Sequence, residues 1–150
     1  MVGWSDGGII GLDLAMRYPD RVRRLIAISA NYDPTGTQSP TTQVDVPRTP
    51  IRYRLLANDP AYWPVIYRKV TEMSRTQPNY SLDDLSHIKA PTIVMAGEFD
   101  IIKREHTAQL AKAISGRQEI IVRGATHAVP TDKPNVVNQI ILSFLEISPS

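Results

Sequence analysis

Ser5 stands in Gly3-Trp4-Ser5-Asp6-Gly7, with a glycine two residues to either side. A serine in that setting can act as a nucleophile where the chain turns sharply from a strand into a helix. Small flanking residues let the turn close without a clash. The helix that follows aims its unpaired N–H groups and its dipole at any negative charge that develops nearby. The backbone N–H of Asp6 is then one candidate oxyanion donor, and Trp4 and Asp6 flank the hydroxyl as candidate substrate-binding residues. The same five residues also fit a Gly-rich turn ahead of a helix, with no chemistry attached.

A serine hydroxyl needs a base, and the base needs a carboxylate to orient it. Of the three histidines, His127 is the best placed. It lies in "RGATHAVP", just beyond a strand ending near Val122, which puts it at the carboxyl edge of a sheet, where open α/β sheets hold their sites. His106 falls inside a helical segment and His87 in the polar approach to a strand, and both read as solvated surface residues. Asp100 closes "MAGEFD" directly after a strand; it fits an orienting acid and equally an N-cap for the next helix. Asp33, in "ANYDP" after an earlier strand, is the runner-up acid. Serine, acid and histidine each following a separate strand, in the order Ser…Asp…His, is more specific than any of the three alone.

The elements that must position these groups are readable in outline. A helix is expected over 7–18, ending before Pro19, with glycines that suit close approach to another backbone. The run "RRLIAISA" (23–30) has the length and continuous apolarity of a buried parallel strand. Residues 33–50 hold prolines, Thr, Ser and Gln in an irregular excursion. A helix is expected over 59–75, capped by Asp59, bent by Pro64, and with Trp63, Ile66, Tyr67, Val70 and Met73 on one face. Strands follow at 91–100 and 118–122, separated by a helix over 104–115 that Gly116 closes in a left-handed conformation. A last helix over 133–146 has Asp132 as its cap. Strands alternating with helices predict a parallel sheet in an α/β domain.

Composition narrows the function classes. The 150 residues are 42% hydrophobic, enough for one domain with a core. Lys and Arg number 17 against 15 Asp and Glu, a net charge of +2 that gives no general field for nucleic acid or a membrane surface. No cysteine is present, which removes disulfides, a thiol nucleophile and cysteine-ligated zinc. The histidines and carboxylates lack a ligand spacing such as H-E-x-x-H, so no metal and no cofactor is expected. No stretch approaches the roughly 20 apolar residues of a membrane span, and no signal-peptide pattern opens the chain. The expected location is cytoplasmic.

"GWSDGG", "YPDRVRRLIAIS", "IKAPTIVMAGEFD" and "GATHAVP" occur in the order seen in the α/β-hydrolase fold superfamily, whose serine-nucleophile branch this sequence resembles. "GWSDGG" is particularly similar to the biphenyl-hydrolase-like group, which includes valacyclovir hydrolase. The resemblance implies a nucleophile at Ser5, a base at His127 and an acid at Asp100, acting on small esters or amides, with the Asp6 carboxylate receiving a substrate's amino group. It places a lid or cap at the insertion of about 33–80, where Tyr53, Tyr62, Trp63 and Tyr67 are candidates to line an aromatic pocket or to face the core. It also implies that residues 1–150 form the C-terminal part of the fold, with three or four parallel strands of its eight-stranded sheet. The loop that brings the second oxyanion donor has no counterpart here, so weakened activity and association through an exposed sheet edge, as a homodimer or with a separate N-terminal half, are expected. Two other readings stand beside this one. The chain is a non-catalytic fragment, or it uses the same three residues as a cofactor-free haloperoxidase-like or carbon–carbon-bond hydrolase.

Overall fold

The computed structural model describes residues 1–38 and 47–146; part of the 33–80 insertion, residues 39–46, lies outside the described residues. Four strands form one sheet in the order β1 (Val2–Trp4), β2 (Leu25–Ile28), β3 (Thr92–Phe99) and β4 (Arg117–Thr126). All three pairings are parallel, with Gly3 opposite Ala27 and Ile28 opposite Met95. Each return to the sheet therefore needs a crossover, and helices supply them. α1 (Asp6–Arg17) links β1 to β2, and α5 (Arg104–Ala113) links β3 to β4. Between β2 and β3 lie α2 (Ile51–Leu56), α3 (Trp63–Thr76) and α4 (Leu82–Ser86). α6 (Val129–Asp132) and α7 (Pro134–Glu146) close the described chain.

β2 and the first six residues of β3 are buried and almost wholly apolar because both faces of the sheet are covered there. Successive side chains alternate between faces. Leu25, Ala27 and Val94 join Leu12, Ala15, Leu85, Leu110, Ala111 and Ile114 from α1, α4, α5 and the turn after it in one core cluster. Ile26, Ile28, Ile93 and Met95 join Val122, Ala125, Val129 and Val137 in the other, on the side of α6 and α7. α1 lies close to β2. A Cβ on Gly8 would come within 2.9 Å of Ala30 Cβ, and one on Gly11 within 2.8 Å of Leu25 Cδ1. Gly7, by contrast, has open space beside it.

Several local expectations need correction. The helix expected over 59–75 is a 3₁₀ turn, Pro60–Tyr62, followed by α3, so Pro64 sits in the first turn of a helix and does not bend one. Asp59 caps the 3₁₀ turn by accepting from the Ala61 N–H. The apolar stripe expected on α3 is not core, since Val70 and Met73 are 50% and 48% exposed. Tyr53, Trp63 and Tyr67 pack on one another, with ring centroids 5.3 and 5.7 Å apart, and the Trp63 indole donates to the Pro47 carbonyl. β4 runs four residues past its expected end at Val122, to Thr126. The last helix, expected over 133–146, is α7, but Asp132, its expected cap, belongs to the separate short helix α6. Gly116 does take a left-handed φ of +66° just after α5.

Candidate active site

Ser5 follows β1 directly and precedes the first residue of α1. Its φ is +54°, a left-handed value that side chains other than glycine and asparagine rarely adopt. The Ser5 N–H donates to the Ile28 carbonyl of β2, and its own carbonyl accepts from the Gly8 and Ile9 N–H groups of α1. The strained turn is thus held from both sides, and the hydroxyl stands clear at the sheet's carboxyl edge. The flanking glycine is required here. A Cβ on Gly3 would lie 2.1 Å from the Gly7 carbonyl oxygen, so strand and helix could not approach as they do. The N–H groups at the start of α1 have no partner within the helix and point toward this turn.

Ser5, His127 and Asp100 are brought together from positions 5, 127 and 100. Ser5 Oγ lies 3.0 Å from His127 Nε2, and His127 Nδ1 lies 2.8 Å from Asp100 Oδ1. The Asp100 side chain is 2% exposed and that of His127 24%. Asp100 is not a helix cap. Its Oδ1 also accepts from the Ile102 N–H, and its Oδ2 accepts from the Ser29 hydroxyl at 2.6 Å and the Gly97 N–H at 3.3 Å. Burial pushes this carboxyl up, but the bonds from His127, Ile102 and Ser29 outweigh it, and the net displacement is below the ordinary carboxylate value. A group depressed in this way stabilises the folded chain at pH values above its unfolded value, and the contribution is lost as pH falls through the folded one.

The runner-up acid goes elsewhere. Asp33 caps a 3₁₀ turn, Pro34–Gly36, accepting from the N–H and hydroxyl of Thr35. His106, expected at the surface, is 5% exposed. Its Nε2 accepts from the Tyr32 N–H, and its ring stacks on that of Tyr32 at 3.8 Å. Burial lowers its pKa, so it serves the fold as a neutral acceptor. His87 is exposed, with Nδ1 against the Asp83 carbonyl. Asp6 is exposed at the first position of α1. Among the described residues no group of three or more His, Asp or Glu side chains could hold a metal ion, and no helix is long and apolar enough to cross a membrane.

Two supports of the His127 loop had no sequence signal of that role. The Trp4 indole N–H donates to the His127 carbonyl at 2.7 Å, and its ring lies 6.1 Å from the imidazole. Trp4, expected at the substrate, thus ties the strand carrying Ser5 to the loop carrying His127. Asp132, expected as a helix cap, accepts instead from the N–H and hydroxyl of Thr126, and that hydroxyl accepts from the Ala128 N–H. Trp4→Phe keeps a ring and removes the bond. It is expected to lower the unfolding free energy by about 1 kcal/mol and to speed hydrogen exchange at the amides of His127 and Ala128. Unchanged exchange at both would show that the indole does not hold the loop.

No family model matches the chain. It is 23% identical to the serine hydrolase BPHL of Mus musculus over 159 residues, which cover 97% of this chain and 54% of that protein. Among solved structures it superposes with a TM-score of 0.69, at 19% identity, on the meta-cleavage product hydrolase CumD of Pseudomonas fluorescens IP01, covering 96% of this chain and 63% of that one. The enol-lactonase of Burkholderia xenovorans LB400 gives a TM-score of 0.67 at 21% identity, covering 96% and 64%. The four-stranded parallel sheet and its flanking helices thus have the α/β-hydrolase fold. The chain spans about half the length of BPHL and less than two thirds of the two solved structures.

Proposed function

We propose that the protein of which these residues form part is a serine hydrolase of small esters or amides. Ser5 Oγ attacks the substrate carbonyl carbon as His127 Nε2 takes its proton. The tetrahedral oxyanion is met by the Asp6 N–H and the N-terminal end of α1. His127 then passes the proton to the departing alcohol or amine, leaving an ester on Ser5. Water, deprotonated by the same nitrogen, releases the acid and restores the hydroxyl. Asp100 holds the Nδ1 proton and stabilises the imidazolium through both halves of the cycle. The Asp6 carboxylate, exposed beside the nucleophile, receives a substrate's amino group, which makes aminoacyl esters the favoured class.

The single observation that carries this reading is the unbroken hydrogen-bonded line from Ser5 Oγ through both nitrogens of His127 to the buried Asp100. The same line also suits carbon–carbon-bond hydrolysis, and nothing in the geometry of the described residues favours that reading over ester cleavage. A fluorophosphonate probe is expected to label Ser5, and His127→Ala to abolish the labelling. Folded protein that stays unlabelled would overturn the proposal.

A further inference from the structure

Ser29 follows β2 directly, one residue beyond Ile28, and is 2% exposed. Its φ is +52°, and Ser5 is the other non-glycine with a positive φ among the described residues. A residue with a Cβ disfavours a left-handed conformation, so the surroundings must hold Ser29 in it. They do so at two points. The Ser29 N–H donates to the Met95 carbonyl at 2.7 Å, and the hydroxyl donates to Asp100 Oδ2 at 2.6 Å. The second distance is that of a charge-assisted O–H···O⁻ bond. Ser29 is buried and its hydroxyl is spent on this bond, which fixes both partners.

A carboxylate rotates easily about its last side-chain torsion, and Asp100 can face His127 only in one plane. Oδ1 carries the bonds to His127 and Ile102, while Oδ2 carries Ser29 and the longer contact from Gly97. We infer that Ser29 is a positioning residue for the proposed reaction: its buried hydroxyl, turned inward by the left-handed backbone, locks the plane of the Asp100 carboxylate so that Oδ1 meets His127 Nδ1. The inference rests on the reading of Ser5, His127 and Asp100 given above. The working line then has four members, from Ser29 through Asp100 and His127 to Ser5.

Ser29→Ala removes the hydroxyl and keeps the strained backbone, whereas Ser29→Gly removes both. If the hydroxyl is what matters, the two variants behave alike. Each is expected to slow fluorophosphonate labelling of Ser5 by about tenfold and to move the carboxyl ¹³C titration of Asp100, assigned with Asp100→Asn, to higher pH. That sign follows because one of the donors favouring the charged form is gone. Wild-type labelling and titration in Ser29→Gly would overturn the inference, as would an Asp100 titration unmoved in both variants. Should Ser29→Ala fail to fold, Ser29→Gly carries the test alone. The titration needs no turnover, so an unlabelled wild-type chain would sink the nucleophile reading and still leave the role of Ser29 measurable.

Discussion

Asp100→Asn is expected to slow labelling of Ser5 by about 10⁴-fold while leaving the chain folded. The side chain keeps its shape and loses its charge. Both ways of seating the amide are poor. With its NH₂ group toward Ser29 and Gly97, the oxygen still faces His127 Nδ1, but no negative charge balances the imidazolium that forms as Ser5 gives up its proton. With NH₂ toward His127 and Ile102, it opposes the Ile102 N–H and forces the imidazole to carry its proton on Nε2. That nitrogen, 3.0 Å from Ser5 Oγ, then has no lone pair for the hydroxyl. Labelling rates across pH, together with the imidazole ¹⁵N shifts, separate the two seatings. A loss smaller than tenfold would mean that the buried carboxylate is structural and the proposed mechanism wrong.

The sheet was legible because its physics is local. A parallel strand covered on both faces must be a short continuous apolar run, and "LIAI" and "TIVMA" are such runs. The stop of α1 at Arg17 follows from Pro19, and the turn after α5 from Gly116, whose left-handed φ a side chain would resist. Ser5, Asp100 and His127 could be named because each follows a strand of one parallel sheet, so all three belong to one edge. Their mutual distances are set by pairing between strands and could not be read from spacing.

His106 shows a signal that was present and misjudged. It lies four residues before Leu110 and eight before Ile114, both fully buried, so helical periodicity places it on the buried stripe of α5. Polarity alone pointed to the surface. Ser29 had no such signal, because its partner is 71 residues away and its backbone conformation is imposed by the fold. Asp132 had a plausible cap sequence, but Thr126 offers two donors to one carboxylate oxygen and draws it away. The stripe on α3 misled in the other direction: an amphipathic pattern states that a face can be buried, but Trp63, Ile66 and Tyr67 are only half-buried and Val70 and Met73 are exposed.

Gly97→Ala is expected to be strongly damaging, because of how β4 passes β3. Gly97 pairs with Val122 and Phe99 with Thr126, so two steps on β3 answer to four on β4. The surplus is taken up by a bulge in which Gly124 has φ +67° and its N–H donates to the Glu98 carboxylate. That bulge folds the end of β4 across Gly97, and this crossing sets His127 over Asp100. A Cβ on Gly97 would lie 2.2 Å from the Thr126 carbonyl oxygen and 2.5 Å from that of Ala125. Both are backbone atoms, so no side chain can swing aside, and β4 must lift from β3 where it leads into His127. The expected loss is about 3 kcal/mol of unfolding free energy, with the Nδ1–Oδ1 contact broken in whatever remains folded. Gly124→Ala in the same bulge is the control. Its Cβ would meet only the end of the Lys133 side chain at 3.5 Å, so its cost is the left-handed backbone alone, about 1–2 kcal/mol. Denaturant midpoints for the two variants order them, and a Gly97→Ala protein as stable as Gly124→Ala would show that the crossing is not closed as described.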